Sequence, residues 1–235
     1  MGQKKLVRFA ELLTFPNVLQ YPENTAGAWS GFFKNDNPIT LELACGKGEY
    51  AVGLARLYPD QNFIGIDLKG NRIWVGAKKA IQEGLSNVAF VRTQIDKLDN
   101  YFAAGEVKDI WITFPDPQLR MSKAKKRLTH PRFLRIYQQI LQKEGTINLK
   151  TDSPDLYNFT KLVIEMYGCE VEADYHNLYQ QAELSDELRI KTHYESLDIA
   201  GSNRIHYLKF RLPAVLPDIQ MDEILKNRLA DVGVD

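Results

Sequence analysis

The chain has 235 residues, 44% of them hydrophobic and 26% charged, with 30 basic side chains against 30 acidic ones. This is a globular composition for one domain with appendages, and it excludes a disordered or low-complexity scaffold. No apolar run nears the ~18 residues that span a bilayer. Arg8 and Glu11 break any signal-peptide core in the opening segment, and Leu6 stands where a myristoylation signal needs Ser or Thr. Two cysteines, Cys45 and Cys169, cannot supply a disulfide framework or a zinc site of their own. A cytoplasmic protein with no metal and no membrane partner is expected.

Residues 1–38 contain Pro16, Pro22, Gly27, Gly31 and Pro38 without a strong period, and read as an N-terminal extension. From residue 39 strand and helix patterns alternate. Strands are predicted at 39–44, 62–67, 88–92, 108–114 and 145–150. Helices fall at 49–57, 72–83, 131–142 and from Pro154 to Tyr167, the last capped by Ser153. Two more strands, 169–175 and 204–212, lack a clear helix between them and suggest an antiparallel hairpin at the sheet edge. The succession predicts an α/β fold with a mostly parallel, seven-stranded sheet and helices on both faces. It occupies 39–212, and 213–235 forms a tail whose short helix can pack through Ile219, Ile224, Leu225 and Leu229.

The first strand runs into Leu41-Glu-Leu-Ala-Cys-Gly-Lys-Gly-Glu-Tyr50. Gly46 and Gly48 follow a strand and open a helix, where glycine lets the backbone turn and approach a ligand. Asp67 ends the second strand, 21 residues after Gly46, where an acid accepts hydrogen bonds from ribose hydroxyls. Dinucleotide-binding proteins share that much. Glu42 discriminates, because a carboxylate beside the loop repels a pyrophosphate but suits a ligand carrying a sulfonium and an ammonium group. That ligand is S-adenosylmethionine.

The fourth strand ends in Phe114-Pro-Asp-Pro117. Two prolines hold Asp116 in a stiff loop at the carboxyl edge of the sheet, where ligands bind in open α/β folds. From Gln118 to Lys143 there is no acidic residue but eight basic ones, a net +8 in a chain of zero net charge. Such a segment can bind a polyanion locally, with Lys123, Lys125, Lys126 and Arg127 gripping phosphates. A solvated helix face is the plainer alternative.

These motifs resemble the bacterial tRNA (guanine-N7-)-methyltransferases over roughly residues 40–211. The most specific stretch is Phe114-Pro-Asp-Pro117 with Arg120-Met-Ser-Lys-Ala-Lys-Lys-Arg-Leu128. Lys150-Thr-Asp-Ser-Pro-Asp-Leu-Tyr157 and Thr192-His-Tyr-Glu195 follow in the expected order. The resemblance implies a Rossmann-like fold dependent on S-adenosylmethionine, with S-adenosylhomocysteine as product. It implies methyl transfer to N7 of a tRNA guanine, guanine 46 of the variable loop. Glu42, Gly46, Gly48, Asp67, Gln94 and Asp116 would serve the cofactor, with Gln94 standing where the family usually has an acid. Asp116 corresponds to the active-site aspartate, and Arg120, Asp152, Thr192, Tyr194 and Glu195 to substrate contacts. Gln118 and Leu119 replace the family's usual Trp-Pro. Monomer and homodimer both remain open.

Guanine N7 offers a lone pair and carries no proton, so catalysis is expected to be positioning, not general-base chemistry. The product is cationic, and Asp116 or Asp152 can stabilise the developing charge. The target base must be unstacked to reach a cleft. Two rivals belong to other classes. A methyltransferase for small molecules or proteins would not need the basic window, and a non-catalytic RNA-binding module would not need Glu42, the glycines and Asp67.

Overall fold

A computed structural model describes residues 2–196 and 204–231. The sheet begins in β2 (Ile39–Leu43), every residue of which is buried. Strands buried along their whole length belong at the centre of a sheet covered on both faces. Around it lie β1 (Val18–Gln20), β3 (Asn62–Asp67), β4 (Val88–Arg92), β5 (Val107–Thr113), β6 (Leu141–Thr151), β7 (Glu170–Tyr175) and β8 (His206–Arg211). The order is β1-β4-β3-β2-β5-β6-β8-β7. Pairs among the first six strands are parallel, while β8 runs antiparallel to both β6 and β7.

The sheet has eight strands, one more than the sequence pattern predicts. The addition is β1, a three-residue strand from the proline-rich N-terminal segment that pairs with β4 at one edge. It is too short to show an alternation. The last two strands do pair antiparallel, as expected, but only β7 forms the edge. β8 returns between β6 and β7, so its Tyr207, Leu208 and Phe210 are buried.

The helices are α1 (Gly2–Leu12), α2 (Trp29–Phe33), α3 (Glu49–Leu57), α4 (Gly70–Gln82), α5 (Pro131–Ile140), α6 (Pro154–Met166), the short α7 (Asp186–Arg189) and α8 (His193–Ser196), and α9 (Gln220–Asp231). Two begin as their sequences dictate. Pro131 and Pro154 occupy first turns, and His130 Nδ1 and Ser153 Oγ accept from the amides of Arg132 and Leu156. One sheet face, carrying Leu41, Leu43, Ile64, Ile110 and Ile147, packs with Phe133, Tyr137, Phe159 and Trp29. The other, carrying Phe63, Phe90, Trp111 and Tyr207, packs with Tyr50, Leu54, Ile73 and Leu188.

The terminal segments join these cores. Glu11 of α1 accepts from the Trp74 indole of α4 at 2.8 Å. Trp29 is buried against Phe102 and donates to the Tyr101 carbonyl. From α9, Leu225 and Leu229 enter the core, and Asp222 receives both Arg135 and Tyr167. The topology leaves a crevice where the chain, having stepped from β2 out to β4, returns to β5 on the other side of β2. In an open parallel sheet this reversal is where ligands bind, at the carboxyl ends of the strands.

Candidate active site

The turn after β2 is built on left-handed backbone, with φ of +54° at Ala44, +56° at Gly46 and +67° at Gly48. Gly48 caps α3, and a side chain there would collide with the Phe90 ring. At Gly46 a Cβ would meet nothing closer than the Ala44 carbonyl at 4.0 Å. The backbone there is therefore open to a ligand. Asp67 holds the turn from β3: its Oδ2 accepts from the Gly46 amide at 2.9 Å and its Oδ1 from the Lys69 amide at 2.7 Å. A carboxylate has about four acceptor positions, so each oxygen keeps one.

Asp67 and Gln94 line a cleft of about 420 Å³ together with Ala44, Leu68 and Phe133. Lys126 and Arg132 also line it, and Arg132 pairs there with Asp96 at 3.5 Å. Lys126, expected among the phosphate contacts, thus also borders this cleft.

Glu42 sits in β2, directly before the glycine turn. It is 2% exposed and does not line the cleft. Its Oε2 accepts from the Ala51 amide in the first turn of α3 at 2.8 Å, and its Oε1 from Thr113 Oγ1 at 2.9 Å. Its carboxyl fastens α3 and β5 beneath the glycine turn. Burial pushes its pKa up to about 8, against the opposing pull of those two hydrogen bonds.

The next loop leaves β5. Phe114, at φ +48°, donates its amide to the Lys150 carbonyl. Asp116 is exposed, and its Oδ1 accepts from the Gln118 amide at 3.0 Å. Thr113 pairs with Lys150 in register, so Asp116 and Asp152 both follow the carboxyl ends of neighbouring strands. Asp152 borders a second pocket, of about 280 Å³, with Tyr179, Lys191, Tyr194, Glu195 and Ile205.

Thr192 and Glu195 bond reciprocally. The Glu195 amide donates to Thr192 Oγ1 at 3.2 Å, and the Thr192 amide to Glu195 Oε2 at 3.4 Å. This is a capping box for α8. Glu195 also receives Tyr179 and the fully buried ammonium of Lys150, the latter at 3.0 Å. Tyr194 is exposed at the pocket. Lys150 and Tyr179 are site residues that sequence reasoning missed. A lysine in a strand buried on both faces must find partners, and that signal was available for Lys150.

The basic window divides in two. Arg120, Lys123, Lys125 and Lys126 are exposed, with no ion pair among the described residues. Arg135 is bound to Asp222 at 2.7 Å, and Arg132 to Asp96. Arg127 is 1% exposed, with its guanidinium turned inward, so the expectation that it grips a phosphate is corrected.

Residues 36–207 match a family model described as a putative methyltransferase. A tRNA (guanine-N(7)-)-methyltransferase of Bacteroides fragilis is 46% identical over 235 residues, covering 94% of this chain and 92% of the relative. One of Porphyromonas gingivalis is 50% identical over 211 residues, covering 85% and 86%. The chain belongs to the tRNA (guanine-N(7)-)-methyltransferase family. Beyond that family the fold is shared with the 16S rRNA methyltransferase KamB, at a TM-score of 0.60 and 13% identity, covering 82% of this chain and 96% of that one. A 30S ribosomal A1408 methyltransferase from an uncultured bacterium is similar at 0.57 and 15%, covering 80% and 93%. In this member of the methyltransferase family no helix among the described residues is long and apolar enough to cross a membrane. No described cluster of three or more His, Cys, Asp or Glu could hold a metal ion.

Proposed function

We propose that this protein transfers a methyl group from S-adenosylmethionine to N7 of a guanine in tRNA, at guanine 46 of the variable loop. The observation that carries the reading is a juxtaposition at one sheet edge. The glycine turn and Asp67 cleft, the Asp116 loop and the Asp152 pocket leave the ends of β2, β3, β5 and β6, beside four exposed cations without acidic partners among the described residues. Family membership supplies the reaction class.

The cleft suits the cofactor. Asp67 keeps an acceptor position on each oxygen for ribose hydroxyls, Gln94 offers an amide for an adenine edge, and Gly46 leaves its backbone uncovered. When bound, S-adenosylmethionine supplies a methyl group made electrophilic by its sulfonium. The protein has no proton to remove from N7, so its task is to hold the guanine lone pair in line with that methyl. Asp116 orients the base by accepting from its N–H edge and stabilises the positive charge that the ring acquires. Asp152 stands beside it on the next strand. Arg120, Lys123, Lys125 and Lys126 hold the phosphates of the presented strand.

Labelled S-adenosylmethionine and unmodified tRNA, followed by mapping of the product, test the reaction. Asp116→Asn keeps the size and one acceptor oxygen and is expected to bind S-adenosylmethionine normally. Its single-turnover rate should fall ~10²–10³-fold, the cost of one missing ionic interaction in a transition state. The wild-type rate should not track a deprotonation between pH 6 and pH 8. Methyl label at another atom overturns the reaction, and a wild-type rate in the variant removes Asp116 from it.

A further inference from the structure

Arg127 closes the basic run in sequence, yet it is withdrawn from solvent. Its Nε donates to the carbonyls of Pro117 at 3.2 Å and Gln118 at 3.3 Å, and its Nη2 to the carbonyl of Leu119 at 3.3 Å. The guanidinium lies over the Phe159 ring of α6, 4.5 Å from its centroid. No carboxylate of the described residues forms an ion pair with it. A buried cation that spends its donors on three consecutive carbonyls of one loop is costly to place. Those carbonyls belong to the residues just after Asp116, and Gln118 sits at φ +48°, a conformation that a non-glycine residue holds only when its surroundings enforce it. The Gln118 amide in turn donates to Asp116 Oδ1.

We propose that Arg127 is a positioning residue for methyl transfer: it fixes the loop after β5, and through the Gln118 amide the carboxylate of Asp116, and it makes no contact with RNA phosphate. The planar fork is what the geometry requires, because a guanidinium can address neighbouring carbonyls and stack on a ring together, whereas an ammonium is a point charge. The inference rests on the methyltransferase reading and on the place of Asp116 in it.

The test compares Arg127→Met and Arg127→Lys with Lys125→Ala as an exposed-lysine control. Steady-state methylation of tRNA is measured beside the salt dependence of tRNA binding. For Arg127→Met, kcat should fall about 10- to 100-fold, as for a reacting group displaced by about an ångström. KM for tRNA and the log–log salt slope should stay at wild-type values. Lys125→Ala should instead lower the slope by roughly 0.7–0.9 and raise KM for tRNA. In an Asp116→Asn background the Arg127→Met substitution should cost less than about twofold further, because its effect passes through that carboxylate. If Arg127→Met fails to fold, Arg127→Lys carries the test, with a smaller loss in kcat and the same unchanged slope. A slope reduced by Arg127→Lys or Arg127→Met, an unchanged kcat, or losses that multiply with Asp116→Asn would each overturn the inference. If wild-type protein does not methylate tRNA, the functional reading itself fails, which is a separate outcome.

Discussion

Glu42 lies buried beneath the glycine turn, so Glu42→Gln isolates the role of its charge. Glutamine keeps the shape and both contacts, since its carbonyl can accept from Ala51 and its amide can donate to Thr113 Oγ1. In the fold the carboxyl titrates at about 8, against 4.5 for an ordinary glutamate, chiefly because burial disfavours the ionised form. The native protein therefore binds this proton more tightly than the unfolded chain does. The resulting stabilisation is complete below 4.5 and is lost as pH rises through 8. Linkage from those two values gives roughly 2 kcal/mol at pH 6.5 and only about 0.2 kcal/mol at pH 8.5. The wild type should thus lose about 2 kcal/mol relative to Glu42→Gln across that interval. Other titrations cancel in the difference. His130, lowered to about 4 by burial, is neutral in the fold throughout, and its titration in the unfolded chain is common to both proteins. Urea denaturation of both proteins at pH 6.5, 7.5 and 8.5 measures this directly. Parallel stability curves would show that the α3 amide and Thr113 keep Glu42 ionised in spite of its burial, and would refute the reasoning.

Two further outcomes concern the flanking cations. Changing Lys123, Lys125 and Lys126 together to Ala should flatten the salt dependence of tRNA binding by roughly one log–log unit per lost phosphate contact, and an unchanged slope would make the lysines an ordinary solvated face. Lys150→Met should destabilise the fold by about 3–5 kcal/mol in urea titrations, because it strands the buried Glu195 carboxylate. Pairing it with Glu195→Gln should recover part of that loss, and a pair as unstable as the sum of its members would contradict the coupling.

The sheet was legible because its strands are short apolar runs between helices of clear period. β2, β3 and β4 fall where Ile39, Asn62 and Val88 predict them, within a residue at the far end of β2. β1 was not legible, since three residues cannot display a period. The place of β8 between β6 and β7 was written in the sequence but less openly. Glu170, Glu172 and Asp174 give β7 the charge of an edge strand, whereas β8 offers Tyr207, Leu208 and Phe210 for burial. At the site, the glycines and Asp67 could be read because turn chemistry is local. The inward course of Glu42 and Arg127 could not, because it depends on α3 and α6 arriving from elsewhere in the chain. Thr192 and Glu195 show the same limit: a Thr-x-x-Glu spacing is a capping signal in its own right, and sequence alone does not reveal that Lys150 lies beneath it.

The two buried cations explain how this site could do its work without proton chemistry. Arg127 grips three carbonyls of the loop after β5. Lys150, on the neighbouring strand, donates to the carbonyls of Leu188 at 3.2 Å and Ile190 at 3.0 Å as well as to Glu195. Between them they hold the segments that carry Asp116 and Tyr194. Neither cation strengthens the fold cheaply, since each gives up hydration that backbone carbonyls only partly replace. On the proposed reading they provide fixed geometry on the two sides of the place where a base sits. A reaction limited by alignment of a lone pair with a methyl group gains from that rigidity directly, because the reorganisation is completed on folding and not repeated at each turnover. On the proposed reading the exposed lysines serve the complementary need: they attract a polyanion from solution without fixing it at a single point. A chain of zero net charge can therefore keep its inward cations for alignment and its outward ones for capture, although the two sets adjoin in sequence at Lys126 and Arg127.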